Sequence, residues 1–237
     1  QIKSNDYSKL MFLTIPEYRK YASSPPGQEH YALLSYFAII FSKNPYSYID
    51  IGTRFGTSAL TMATYGHHVI TYDIPGSTEL ETALKSMKMT KENWDLELKK
   101  LNCNITTISA NLLKVTDEEF EPVRRAPFIL LDTYHRPYSN PFEREFIERL
   151  VASKYNGVVI LDDIFEDREM IEWFNELICS KYRPFSVYNI TSVGHASGTG
   201  LLDFGSKLRF IGKGTESILK SSSDPLCLCG KYEIKNQ

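Results

Sequence analysis

The stretch Tyr48-Ile49-Asp50-Ile51-Gly52-Thr53-Arg54-Phe55-Gly56-Thr57-Ser58 decides the fold. A short apolar strand runs into an acidic residue, two glycines stand four apart, and a helix opens at Thr57. In such a strand–glycine loop–helix unit, bare backbone lets a ligand approach and the first helical N–H groups face it. The spacing is not the dinucleotide fingerprint. Asp50-Ile-Gly52-Thr-Arg-Phe-Gly56 lacks the second glycine expected beside a pyrophosphate.

Working outward, strands and helices alternate. Strands are expected at 47–51, 68–73, 104–109, 128–131, 157–161, 185–191 and 200–204. The fourth and fifth, Phe128-Ile-Leu-Leu131 and Gly157-Val-Val-Ile-Leu161, are continuously apolar, as in a sheet covered on both faces. Helices are expected at 28–41, after a break at Pro25-Pro26-Gly27, then at 57–65 with a stop at Gly66. A charged helical region covers 77–101, an acidic helix or turn 117–121, and further helices 141–153 and 167–179. The pattern implies an α/β fold with a doubly wound, mostly parallel seven-stranded sheet and helices on both faces. It divides the chain into a helical cap at 1–45, a core at 46–212 and a tail at 213–237 containing Ser221-Ser222-Ser223.

The bulk numbers suit one large domain with a substantial core. The chain has 237 residues, 42% hydrophobic and 24% charged. A net charge of −2 gives no broad basic field, so neither nucleic acid nor an anionic membrane is an expected partner. No apolar run approaches the ~20 residues needed to cross a bilayer. The cysteines, Cys103, Cys179, Cys227 and Cys229, form neither a disulfide framework nor a zinc spacing, which fits a reducing, cytosolic setting. The 15 tyrosines fill core and interfaces, or pack on flat ligands such as sugars. The chain opens on Gln1 rather than Met, which fits a part of a longer multidomain polypeptide.

In a doubly wound sheet, ligands sit outside the carboxyl ends of the strands. Asp73 closes the second strand, where acceptor-only oxygens suit a diol. Asn111 follows the third strand and either contacts a ligand or makes a turn. Asp132 closes the fourth strand, and Asp162-Asp163 the fifth. Three converging carboxylates repel unless a cation or a proton lies between them, and hard oxygen ligands favour Mg²⁺ or Mn²⁺. The alternative is that one or two of them cap helices.

These motifs carry a family likeness. The loop Asp50-x-Gly52-x-x-x-Gly56 resembles motif I of class I S-adenosyl-L-methionine-dependent methyltransferases. Asp132 with Asp162-Asp163 is similar to the metal triad of catechol-type O-methyltransferases and of macrocin- and mycinamicin-type sugar O-methyltransferases. The Asp-Asp ending is closer to the sugar group. So is the spacing Asp132-Thr-Tyr-His135, where a His three residues past the metal Asp serves as base. In general likeness the chain also resembles glycan-decorating methyltransferases of chloroviruses. The resemblance covers roughly 28–205.

It implies that Asp50, Gly52, Thr53, Gly56, Thr57 and Ser58 wrap the amino-acid part of S-adenosyl-L-methionine. Asp73 would take the ribose, Asn111 the adenine, and Asp132 would border both cofactor and metal. Asp132, Asp162 and Asp163 would hold Mg²⁺ or Mn²⁺, and His135 would accept the proton of a sugar hydroxyl on a small-molecule or glycan acceptor. The loop 134–140, with two Tyr and Arg136, is polar enough for a sugar. A catechol or phenol acceptor, and a metal-dependent glycosyltransferase, stand as alternatives. The glycine-rich piece 194–200, with His195, shapes an acceptor pocket or turns the chain, and the turn is favoured; His67-His68 reads as a strand start, and Gln28, Glu29 and His30 receive no role.

Overall fold

The computed structural model describes residues 25–54, 56–63, 67–75, 79–86, 88–133, 140–180, 182–191, 197–212 and 232–236. In chain order they form α1 (Pro25–Ile40), β1 (Tyr48–Ile51), α2 (Thr57–Ala63), β2 (His68–Asp73), α3 (Glu79–Ser86) and α4 (Lys91–Lys100). There follow β3 (Asn104–Ser109), α5 (Asp117–Arg125), β4 (Phe128–Leu131), α6 (Asn140–Ala152), β5 (Val158–Leu161) and α7 (Arg168–Cys179). The chain ends with β6 (Ser186–Asn189), β7 (Gly200–Asp203), β8 (Leu208–Gly212) and β9 (Tyr232–Asn236).

Seven strands make one sheet in the order β3-β2-β1-β4-β5-β7-β6. Neighbours from β3 to β5 are parallel, and β7 runs antiparallel to both β5 and β6. This is the doubly wound, mostly parallel α/β sheet that the alternation implies. The order reverses direction after β1, where β4 takes the other side, and ligand crevices form at such switch points. The strands β8 and β9 form a separate antiparallel pair, with Leu208 opposite Asn236. Among the described residues no helix is long and apolar enough to cross a membrane.

Strand alternation sorts the core into two layers. Tyr48, Phe128, Leu130, Val158, Ile160 and Leu201 face one cluster with Leu33, Leu34 and Phe37 of α1, Leu60 and Met62 of α2, and Trp94 and Leu98 of α4. Ile49, Ile51, Ile129, Leu131, Val159, Leu161 and Leu202 face the other, with Phe120 of α5, Phe146 and Leu150 of α6, and Trp173 and Phe174 of α7. Every residue of β4 and β5 is buried because both faces are covered.

Local signals set several helix ends. Thr116 caps α5 in a capping box: its hydroxyl accepts the Glu119 N–H, and the Glu119 carboxylate accepts the Thr116 N–H. Asp167 caps α7 by accepting the Met170 N–H. Three helices differ from the sequence reading, α5 by running on through Pro122 to Arg125. Pro25 opens α1 instead of breaking it, because proline's fixed φ and missing N–H suit a first turn. The charged region 77–101 is two helices, since Thr90 caps a new one by accepting the Asn93 N–H while Lys88 turns left-handed at φ 52°.

The core beneath the site rests on Phe128, whose ring lies 5.9 Å from that of Phe37, 5.8 Å from Phe41 and 4.6 Å from Tyr48. Phe128→Ala is expected to cost ~3–5 kcal/mol, read as a lower urea midpoint with an unchanged slope.

Candidate active site at the strand ends

Backbone pairing continues past the ends of the central strands. The Asp132 N–H donates to the Ile51 carbonyl at 2.9 Å, the Asp162 N–H to the Leu131 carbonyl at 3.1 Å, and the Gly52 N–H to the Tyr72 carbonyl at 2.9 Å. The first residues of each loop are thus held in strand register.

Gly52 needs to be glycine on two counts. Its φ is +105°, and a Cβ there would lie 1.8 Å from the Asp132 carbonyl oxygen. The loop is pressed against the end of β4, and any side chain would part them. Gly56, at φ +70°, faces the Trp94 ring, which a Cβ would meet at 3.3 Å. Thr57 and Ser58 are half-buried in the first turn of α2.

Asp50 braces this loop from beneath. It is wholly buried, and its Oδ2 accepts from the Thr71 hydroxyl at 2.8 Å. The Thr71 and Thr53 hydroxyls share a hydrogen bond of 2.7 Å, so Thr53 also points inward. Asp50 Oδ1 has no hydrogen-bond partner among the described residues. Burial pushes the Asp50 carboxyl up to about 7; the Thr71 bond works against this and nearby Asp73 adds to it.

Asp73 is half-buried at the end of β2, and its Oδ1 accepts the Ile74 N–H at 2.9 Å. The Ala110 N–H donates to the Asp73 carbonyl at 2.8 Å, which draws the turn after β3 alongside. In that turn Asn111 Oδ1 accepts the Leu113 N–H at 3.0 Å, a local turn bond.

The carboxylates after β4 and β5 come together with a residue to which the sequence reading gave no role. Ligand atoms of His30, Asp132 and Asp162 all lie within 4.8 Å of one another. His30 and Asp162 are buried and Asp132 is half-buried; His30 Nδ1 lies 3.6 Å from Asp162 Oδ2. Strand parity accounts for the grouping. Leu130 and Ile160 face the α1 cluster, and two residues on, Asp132 and Asp162 keep that face. His30 occupies the matching stripe of α1, three, four and seven residues before Leu33, Leu34 and Phe37.

Asp163, expected as the third metal ligand, is not in this group. It has the opposite parity and a left-handed φ of 53°, and it accepts a hydrogen bond from the Ser197 hydroxyl. The loop after β5 is stitched to the loop before β7: the Ile164 N–H donates to the Gly198 carbonyl at 3.2 Å and the Phe165 N–H to the Ser197 carbonyl at 2.8 Å. Gly198 has φ +100°, and a Cβ would strike Ile164 and Phe165 at 2.7 Å. Ser197 and Gly198 are thus fitted to the acidic loop. A buried carboxylate that the sequence reading missed, Glu143 of α6, accepts from the Thr133 hydroxyl at 2.9 Å, immediately after Asp132.

Phe55, His135 with the loop 134–139, His195, Gly66, and 213–231 with Cys227 and Cys229 lie outside the described residues, as does 1–24 of the helical cap.

No family model matches the chain. No curated protein matches it either. Solved structures do. One is a candidate caffeoyl-CoA O-methyltransferase from Staphylococcus aureus, 16% identical, with a TM-score of 0.50 over 83% of this chain and 94% of that one. Another is a candidate O-methyltransferase from Klebsiella pneumoniae, 14% identical, with a TM-score of 0.51 over 84% and 90%. Cofactor-bound Rv0187 from MTB is 13% identical, with a TM-score of 0.51 over 84% and 87%. At these identities what is shared is the fold, a Rossmann-like, mostly parallel α/β sheet.

Asp50 gives a pH test of the loop's foundation. A carboxyl raised in the folded state contributes stability that is full below its unfolded value, near ~4, and is lost as pH rises through about 7. Asp50→Asn should therefore gain on the unsubstituted protein as pH climbs between those limits, by at most ~1.4 kcal/mol for each step of one in pH. Urea midpoints at pH 4.5, 6 and 7.5 measure it; a constant difference would show that Asp50 stays ionised.

Proposed function

We propose that this chain is an S-adenosyl-L-methionine-dependent O-methyltransferase that acts, with a divalent metal ion (Mg²⁺ or Mn²⁺), on the hydroxyl of a sugar such as a deoxysugar in a glycan or glycoside. The observation that carries this reading is the gathering of Asp132 and Asp162 with His30 beside the Gly52 loop, at adjoining strand ends. The fold supports it, as do the O-methyltransferase names of two structural neighbours and the bound cofactor of a third. The donor set fits a divalent ion: two carboxylates and an imidazole from three separate elements lie close enough to share one.

When bound, S-adenosyl-L-methionine supplies a sulfonium methyl group, and the ion lowers the pKa of an acceptor hydroxyl and fixes its direction. The chain's own residues then place and deprotonate. The Gly52–Gly56 loop admits the amino-acid part of the donor against backbone, with Thr57 and Ser58 at its rim. Asp73 accepts hydrogen bonds from the ribose diol, and Asn111 borders the adenine. Asp50 and Thr53 hold the loop's shape from below. His135 takes the acceptor proton as the oxygen–methyl bond forms and the sulfur–methyl bond breaks, leaving S-adenosylhomocysteine. The polar sequence after Asp132 favours a sugar. A phenol acceptor is the second reading, favoured by the caffeoyl-CoA candidate among the neighbours.

Calorimetry should find binding of S-adenosylhomocysteine and none of UDP-sugars; the reverse result would transfer the chain to the glycosyltransferases. Turnover of methyl rhamnoside, followed by release of S-adenosylhomocysteine, should stop in EDTA and return with Mn²⁺. His135→Ala should lower kcat by ~10² to 10⁴ while leaving donor binding unchanged. An unaltered pH–rate profile in that variant would remove His135 from the mechanism.

A further inference from the structure

We propose that His30 of α1 is a direct ligand of the metal ion, and that its imidazole makes the site select Mn²⁺ or a later first-row ion over Mg²⁺. This rests on the metal-assisted reading above and departs from the all-carboxylate set expected of the sequence, because the geometry substitutes His30 for Asp163.

Position is the first argument. Asp132 and Asp162 leave adjoining parallel strands in register, with Leu131 beside Leu161, and both face the α1 layer. His30 of α1 completes the group, its ligand atom within 4.8 Å of both carboxylates. Asp163 is outside the group of three and accepts from the Ser197 hydroxyl.

Distance is the second. Ligand atoms about 2.1 Å from one ion stand ~3.0 Å apart at right angles and ~4.2 Å apart when opposed. The 3.6 Å between His30 Nδ1 and Asp162 Oδ2 falls inside that range, and it is longer than a hydrogen bond.

The third is ligand chemistry. Mg²⁺ demands oxygen and sheds water reluctantly, whereas imidazole suits Mn²⁺, Fe²⁺, Co²⁺ and Zn²⁺ progressively better. One nitrogen with two carboxylates is a mixed set that Mg²⁺ fills poorly. Half-buried Asp132 leaves an approach for an acceptor oxygen, while His30 and Asp162 are shielded.

The competing arrangement is a protonated His30 held between the two aspartates without metal. Pulsed electron paramagnetic resonance on the unsubstituted chain loaded with Mn²⁺ alone separates the two. Directly bound imidazole gives nitrogen modulations whose frequencies change when histidine is labelled with ¹⁵N. Their presence supports the proposal, and bound Mn²⁺ without them overturns it.

Titration calorimetry supplies the second arm. Mn²⁺ should bind at least ~10-fold more tightly than Mg²⁺. His30→Ala should weaken Mn²⁺ by more than ~10²-fold, beyond the usual effect of losing an outer partner, with S-adenosylhomocysteine affinity retained as the sign of a folded site. Asp163→Ala should leave Mn²⁺ affinity within ~3-fold, since it removes no ligand. Loss of Mn²⁺ in the Asp163 variant with full binding in the His30 variant would restore the carboxylate triad, overturning this proposal and sparing the enzymatic reading. Absence of any Mn²⁺ binding alongside firm S-adenosylhomocysteine binding would overturn the proposal and the metal assistance together. Absence of both would remove the methyltransferase reading itself.

Discussion

Three backbone hydrogen bonds at the mouth of the sheet determine which side chains can meet. The N–H groups of Gly52, Asp132 and Asp162 each bond to the last carbonyls of a neighbouring strand, so the alternation of faces persists into the loops. Because that alternation has a period of two, a slip of one residue at β5 would present Asp163 where Asp162 now stands and turn Asp162 away. The packing of Gly52 on the Asp132 carbonyl resists a shift between β1 and β4, which approach there with room only for a hydrogen atom. The glycine that invites a ligand thus also holds two strand ends together, and the site's geometry is inherited from the main chain before any side chain contributes.

The sheet was largely legible in the residues because β1, β2, β4 and β5 are short runs rich in apolar residues with an acid at or next to their ends. β2, β3 and β4 fall where the sequence places them, and the others differ by a residue or two at the ends. The helix boundaries were less legible, since they turn on competition between local signals. Thr90 outweighs the charge pattern that joins 77–101, and Pro25 starts a helix because its N–H is not needed in a first turn. Asp132 and Asp162 could be read from strand ends alone. His30 could not, for it stands about a hundred residues earlier, and only the docking of α1 on the sheet brings it near.

Three carboxylates at or near this end of the sheet are spoken for internally. Asp50 accepts from Thr71, Glu143 from Thr133, and Asp163 from Ser197. Each couples a loop or strand end to a neighbouring element through a hydroxyl, which suits an acid removed from bulk water. Asp50 is the extreme case, buried so completely that its carboxyl is drawn toward the neutral form. The acids here therefore divide into two groups. One shapes the framework, while Asp132 and Asp162 converge where charge is useful.

Helix α1 precedes the glycine turn in the chain yet supplies Leu33, Leu34 and Phe37 to the layer beneath it and His30 to its rim. Modules exchanged at the start of β1 would carry the glycine turn and the acidic strand ends intact and leave the imidazole behind. On the proposed reading, an exchange at that seam would change the ion's ligand set without touching the glycine turn.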